Sequence, residues 1–120
     1  MHCNVKDKDK IIGIIDSHIQ TAVSVSQILD YAGYKTFQAY NEEDARNKII
    51  RFKPCLLIIS SSFIEDKTCT WIKEVSEYKV IVILMSHEGK TPCNIKNIVA
   101  TITKPIDSEK LLDKIKNALA

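Results

Sequence analysis

This sequence of 120 residues lacks the features that most readily reveal a membrane protein or a phosphate-binding enzyme. It has only three glycines and no glycine-rich loop that would cradle a phosphate. No apolar run approaches the roughly 18 residues of a membrane-spanning helix, and the N-terminus is too polar for a signal peptide. We therefore expect a cytoplasmic protein that contacts no membrane.

Paired cysteines are also missing. The four cysteines are scattered at Cys3, Cys55, Cys69 and Cys93, without a C-x-x-C pair or the spacing of a zinc finger. This pattern gives little support to a disulfide framework or a structural zinc site, and we expect free thiols.

The sequence has no strong charge of either sign. Seventeen basic and 15 acidic residues leave a net charge of +2, which is too balanced to indicate direct contact with nucleic acid. Lys6 to Lys10 alternate in sign, so residues 1–10 are predicted to form a polar leader in solvent. Residues 11–120 have the length of one domain.

Three short apolar runs without alternation are present instead, at Ile11–Ile15, Leu56–Ile59 and Val80–Met85. Such runs, rich in β-branched residues, are typical of strands covered on both faces, as in a parallel sheet between helical layers. Lys35–Ala39 alternates polar and apolar residues like a half-buried edge strand, and Ala100–Thr103 is the predicted last strand.

The segments between the first strands have helical spacing. Ser17 is the predicted N-cap of a helix over residues 18–32, with Gln20 completing a capping box and Gly33 as its left-handed stop. Asn41 is the predicted cap of a second helix, which begins with three acidic residues. Its inward residues are predicted to be Ala45, Ile49 and Ile50.

The second half of the chain is less regular. A third helix is predicted from Asp66 or Lys67 to Tyr78, and Ser108 is the predicted cap of a terminal helix. The crossover from His87 to Val99 has space for only a short or irregular fourth helix. Strands alternating with helices predict an α/β, doubly wound, flavodoxin-like fold. We expect five parallel strands in the order 2-1-3-4-5, with helices on both faces.

In such a sheet, functional groups lie at the carboxyl ends of the strands. Asp16, Ser60, Ser86 and Lys104 stand at or just after the predicted strand ends. Along the whole chain, five short pieces follow one another in a fixed order: Ile15-Asp16-Ser17, Asp30 to Tyr34, Pro54 to Ile59, Met85-Ser86 and Thr103 to Ile106. In this order and spacing, nearly the whole chain resembles the receiver domain (CheY-like) of bacterial two-component response regulators.

The resemblance implies a phosphorylation pocket. A receiver takes a phosphoryl group onto an aspartate that ends the third strand, with Mg²⁺ held by an acidic pair after the first strand. A hydroxyl residue after the fourth strand and a lysine before a proline after the fifth contact the phosphoryl group. Asp16 matches one acid, Ser86 the hydroxyl and Lys104 the lysine. However, Ser17 stands at the second acid and Ser60 at the phosphoacceptor.

These two departures predict a degenerate pocket. Mg²⁺ prefers anionic oxygen ligands, so we expect its binding to be weak or absent, and we expect no cofactor and no catalytic residue. We expect Lys104 to pair with Asp16, because the other acids of the family are missing. By resemblance, the Lys104-Pro105 bond is expected to be cis, and Thr101 occupies the family's switch position.

The predicted function is therefore that of a pseudo-receiver, a signalling domain that is not an enzyme and acts by contact with a protein partner. By resemblance, this contact uses the face of the fourth helix, the fifth strand and the terminal helix, where a homodimer also forms in the family. Two alternatives stay open. One is a small anion- or nucleotide-binding protein or enzyme that uses the same sheet edge, and the other is the receiver half of a DNA-binding regulator.

Three narrower hypotheses concern the same edge. Ser60 with Asp16 and either His18 or His87 would form a hydrolase triad, although the glycines of a nucleophile elbow are missing. A transition-metal site is a second hypothesis, because imidazole, carboxylate and thiolate groups are available at His18, His87, Asp16 and Cys93. The spacing of these residues is not that of a known metal motif. Phosphorylation of Ser60 by a Ser/Thr kinase is disfavoured at a buried strand end.

Overall fold

The computed structural model describes residues 10–61, 80–86 and 98–119 of the chain. Their elements in chain order are β1 (Ile11–Ile15), α1 (Ile19–Tyr31), β2 (Lys35–Ala39), α2 (Glu42–Phe52), β3 (Leu56–Ser60), β4 (Ile81–Ser86), β5 (Ile98–Thr103) and α3 (Ser108–Leu119). All strand pairs are parallel, and the sheet order is β2-β1-β3-β4-β5. The predicted doubly wound, flavodoxin-like topology is confirmed.

Buried apolar side chains pack on both faces of this sheet. One cluster joins α2 to the sheet through Ala45 and Ile49, and the other joins α1 and α3 to it through residues such as Leu29 and Leu111. Every residue of β3 and β4 is buried. Continuous apolar runs in these strands are therefore explained by helices on both sides.

The ends of α1 and α2 follow the sequence signals only in part. Gly33 adopts a φ of 100°, as predicted for the stop after α1, and the Asn41 side chain caps α2 by accepting from the Asp44 backbone N–H. Ser17 as the cap of α1 is wrong, because the N-cap residue is His18 and no side chain caps it. Ile50 as an inward residue is also wrong: it is 57% exposed, one step around the helix from the buried Ile49.

The terminal helix has a different cap from the predicted one. The Oδ1 of Asp107 accepts from the backbone N–H groups of Glu109 and Lys110, whereas Ser108 is the first residue of α3. Strand β5 begins at Ile98, inside the segment predicted as an irregular crossover. The predicted third helix and the rest of that crossover lie outside the described residues.

Two further expectations need correction at the opposite edge of the sheet. Lys10, placed by prediction in a solvated leader, is 6% exposed, because it directly precedes β1 and joins the packed body of the domain. Cys55 is disulfide-bonded rather than a free thiol. Among the described helices, none combines the length and apolar character that crossing a bilayer requires.

Candidate functional site

The sheet brings four polar residues of the predicted pocket to its carboxyl edge. Asp16 follows β1, Ser60 ends β3, Ser86 ends β4 and Lys104 follows β5. In the register of the central strands, Ser60 lies opposite Met85, and Ser86 opposite Thr103. Residues distant in sequence thus converge because parallel strands end at a common edge.

The centre of the site is an ion pair between Lys104 and Asp16. The Lys104 Nζ lies 3.0 Å from Asp16 Oδ2, and the exposed fractions of the two side chains are 13% and 2%. The same amine donates to the Ser60 hydroxyl at 3.1 Å. Removal from water makes each group dependent on the other, since an unpaired buried charge is strongly unfavourable. The predicted pair is therefore present, with one serine as a further partner.

Backbone hydrogen bonds hold both members of this pair in place. The Asp16 N–H donates to the Ala39 carbonyl at 3.1 Å, and the Asp16 Oδ1 accepts from the His18 N–H at 2.9 Å. The Lys104 N–H donates to the Ser86 carbonyl at 2.9 Å, and the Lys104-Pro105 bond is cis. Strands β1, β2 and β4 thus fix the positions from which the two charged side chains meet.

Three further residues were predicted to belong to the site, namely Ser86, Ser17 and Thr101, and they differ in their exposure to solvent. Ser86 is buried at the end of β4, beside the backbone of Lys104. Ser17 is exposed to solvent, and Thr101 is half-buried on β5. The structure therefore groups Asp16, Ser60 and Lys104 in direct contact, while Ser17 is turned toward solvent.

This donor set does not fit a magnesium ion. Both oxygens of Asp16 already have partners, namely the Lys104 amine and the His18 N–H. Within residues 10–61, 80–86 and 98–119, no group of three or more histidine, cysteine or acidic side chains could hold a metal. A cation at Asp16 would have to displace the lysine and would find a neutral hydroxyl at Ser60.

The contacts of His18 do not form a hydrolytic relay with Asp16. Its ring Nδ1 lies 2.6 Å from the Thr21 hydroxyl, while Asp16 is engaged by the backbone N–H of the same residue. A triad needs the carboxylate to orient the imidazole, and the imidazole to reach the nucleophile. The Ser60 hydroxyl contacts the lysine amine instead. His87 and Cys93, which the alternative triad and the metal hypothesis require, lie outside the described residues.

A groove beside this site was not predicted from the sequence. It has a volume of about 720 Å³ and lies between α1 and the loop after β5, with walls that include Val25, Ile28, Pro105 and Ile106. His18 and Lys104 line the end near the ion pair. No motif marks such a groove, because it forms only when α1 packs beside the cis-proline loop.

Comparison with solved structures identifies the architecture. A response regulator from Thermotoga maritima is similar over 92% of this chain and 97% of its own, with a TM-score of 0.74 and 20% sequence identity. The fold is that of a receiver domain. A two-component response regulator from Clostridium difficile has the same TM-score and 21% identity, over 92% of this chain and 95% of its own.

A third receiver fold, from the hybrid histidine kinase CckA, gives a TM-score of 0.72 at 20% identity, covering 92% of this chain and 99% of that receiver domain. The sequence matches no family model and no curated protein. The predicted likeness to CheY-like receivers is thus confirmed as a likeness of fold.

Proposed function

We propose that this domain is a pseudo-receiver, which takes part in signal transduction without accepting a phosphoryl group. The observation that carries this proposal is the contact of the Lys104 amine with both Asp16 and Ser60. At the sheet edge where a receiver holds its acids, the lysine neutralises one carboxylate and meets a hydroxyl. The Lys104 amine therefore occupies the polar groups of Asp16 and Ser60 that would otherwise face a phosphoryl group or a metal ion.

The chemistry at Ser60 supports this proposal. Phosphoryl transfer to a carboxylate forms an acyl phosphate, which a hydroxyl cannot form. A serine also needs a general base to become a good nucleophile, whereas the Lys104 amine donates a hydrogen bond to this hydroxyl. Because Ser60 is only 3% exposed, a protein kinase would have poor access to it.

Signalling by such a domain would occur through protein contact. Receiver domains interact with protein partners, and we assign the partner face to the region formed by β5 and the outer side of α3. A second copy of the chain is one candidate partner there, as expected from the resemblance. Val99, 55% exposed on β5, supplies an apolar contact, and Glu109 and Lys110 supply exposed charges. The proposal includes a cytoplasmic location and no direct contact with nucleic acid.

Incubation with acetyl phosphate and Mg²⁺, followed by intact mass spectrometry, tests the proposed loss of phosphoryl transfer. The native chain is expected to gain no phosphoryl mass. Mg²⁺-dependent labelling of the native chain would overturn the proposal.

A gain-of-function variant makes a negative result informative. The double variant Ser17→Asp/Ser60→Asp places carboxylates at the two positions where this sequence differs from the receiver pattern. We expect this variant to acquire Mg²⁺-dependent labelling. Ser17→Asp/Ser61→Asp is the matched control, because it adds the same charge one residue away. Labelling of the first variant alone would show that the two serines account for the lost reaction.

A further inference from the structure

The groove beside the ion pair combines an apolar body with one polar end. Val25, Ile28, Pro105 and Ile106 supply its apolar walls, and Lys104 lies at the polar end. Its volume of about 720 Å³ falls within the range of roughly 300–1,000 Å³ that small-molecule sites have. Apolar walls with a few polar groups at one end suit a small molecule that is itself amphipathic.

The polar end of the groove is suited to a negatively charged group. Lys104 and His18 line this end, and none of the described residues that line the groove is an aspartate or a glutamate. Asp16, the ion-pair partner of Lys104, has a side chain that is 2% exposed, and it is not among these lining residues. A ligand in the groove therefore contacts the lysine amine rather than the carboxylate that balances it.

Two hydrogen-bond donors at this end are left for a ligand. The Lys104 ammonium has three N–H groups, of which two donate to Asp16 and Ser60. In the part of the chain that the structure describes, the third has no acceptor. The Nδ1 of His18 lies 2.6 Å from the Thr21 hydroxyl, and in the tautomer in which Nδ1 accepts, Nε2 carries the proton and is the second donor. Donors of this kind match the oxygens of a carboxylate.

We propose that this groove binds a small molecule with one carboxylate and an apolar chain or ring. The carboxylate lies at Lys104, and the apolar part lies between α1 and the loop after β5. A monoanion is favoured over a phosphate dianion, because Lys104 supplies one positive charge and already shares it with Asp16. Such binding gives the domain a chemical input that goes beyond the proposed function and does not depend on it.

A small molecule is favoured over a protein surface because of the position of the amine. The Lys104 side chain is only 13% exposed, so a narrow head group at the end of a chain reaches it more easily than a flat surface does. Eight-carbon probes match the groove's combination of apolar walls and one charged end. For a ligand of this size we expect a dissociation constant between about 0.1 and 5 mM.

Amide NMR titrations of the native chain with four probes test the proposal. Sodium octanoate is expected to give saturable shifts at Thr21, Val25 and Ile106. Octanamide has the same chain without the charge and should bind at least about fivefold more weakly, because a charged acceptor makes the stronger hydrogen bond to the amine. Sodium acetate lacks the chain and octylammonium reverses the charge, so neither should give a saturable shift.

Two isosteric changes on the exposed side of α1 locate the binding. Gln20 lines the groove in the first turn of α1, so Gln20→Glu sets a like charge near the carboxylate of the ligand. We expect it to weaken octanoate binding at least about threefold and to change octanamide binding less than about twofold. Gln27→Glu is the matched control, because Gln27 is exposed on the same helix and does not line the groove. It should bind octanoate like the native chain.

Several results would overturn the proposal. The first is the absence of a saturable shift with octanoate. Octanamide bound as tightly as octanoate would mean a site for a neutral apolar ligand, and acetate bound as tightly would mean a simple anion site. Equal effects of Gln20→Glu and Gln27→Glu would place the ligand outside the groove. These titrations are separate from the phosphoryl-transfer assay, so either proposal can fail alone.

Discussion

Replacement of Lys104 by methionine removes the cation from the buried ion pair while keeping most of the side-chain volume. The carboxylate of Asp16, whose side chain is 2% exposed, then loses its charged partner. Breaking a buried pair from one side costs about 3–5 kcal/mol. We expect the lower end, about 3 kcal/mol, because the His18 N–H still donates to Asp16 and Lys104 is not fully buried.

The reverse replacement, Asp16→Asn, should be milder. Asparagine keeps an oxygen that accepts from the His18 N–H, and the freed lysine has a long stem by which its amine can reach solvent. We expect a loss of about 1 kcal/mol for this change. In the double variant Asp16→Asn/Lys104→Met no charge is buried, so its stability should return to within about 1 kcal/mol of Asp16→Asn alone.

Urea unfolding followed by circular dichroism gives the free energies of unfolding for all four proteins. The cycle yields the coupling free energy between residues 16 and 104, which is the amount by which the effects of the two single changes fail to add in the double variant. If Lys104→Met lies within about 0.5 kcal/mol of the native chain, or if the double variant is as unstable as Lys104→Met, the pair does not have the role assigned to it.

Three smaller changes test the local structure by the same unfolding measurement. Gly13→Ala should destabilise by about 1–3 kcal/mol, because a Cβ there would lie 2.6 Å from Leu57 Cδ2, and an unchanged stability would contradict this packing. Asn41→Ala should lose about 1 kcal/mol with the cap of α2, and a neutral effect would show that the cap is dispensable. Asp107→Ala should lose about 1 kcal/mol while Ser108→Ala stays near neutral, and the opposite order would restore the serine as the cap of α3.

The sheet could be predicted from the sequence because its strands carry a strong and redundant signal. Leu56–Ile59 and Val80–Met85 are apolar at every position, which only burial on both faces explains. Strand order then follows from the handedness of the crossovers. The contact between Lys104 and Asp16 was predicted from the resemblance to receiver domains, because the topology brings both strand ends to one edge but leaves β3 and β4 between them.

Element boundaries and surfaces were harder to predict because neighbouring residues compete for the same role. Asp107 and Ser108 are both good capping residues, and the chain path decides between them. Ile49 and Ile50 are chemically identical, yet only one faces the sheet. The groove beside Pro105 depends on the packing of two elements distant in sequence, which no local pattern encodes.

The most direct test of the pseudo-receiver account is a titration with beryllofluoride and Mg²⁺, followed by amide NMR. Beryllofluoride mimics a phosphoryl group on an aspartate, so a pocket with Ser60 and a lysine-paired Asp16 should not bind it. The account predicts no saturable shift of the Ser86 and Lys104 amide signals. A saturable, Mg²⁺-dependent shift at these two residues would contradict it.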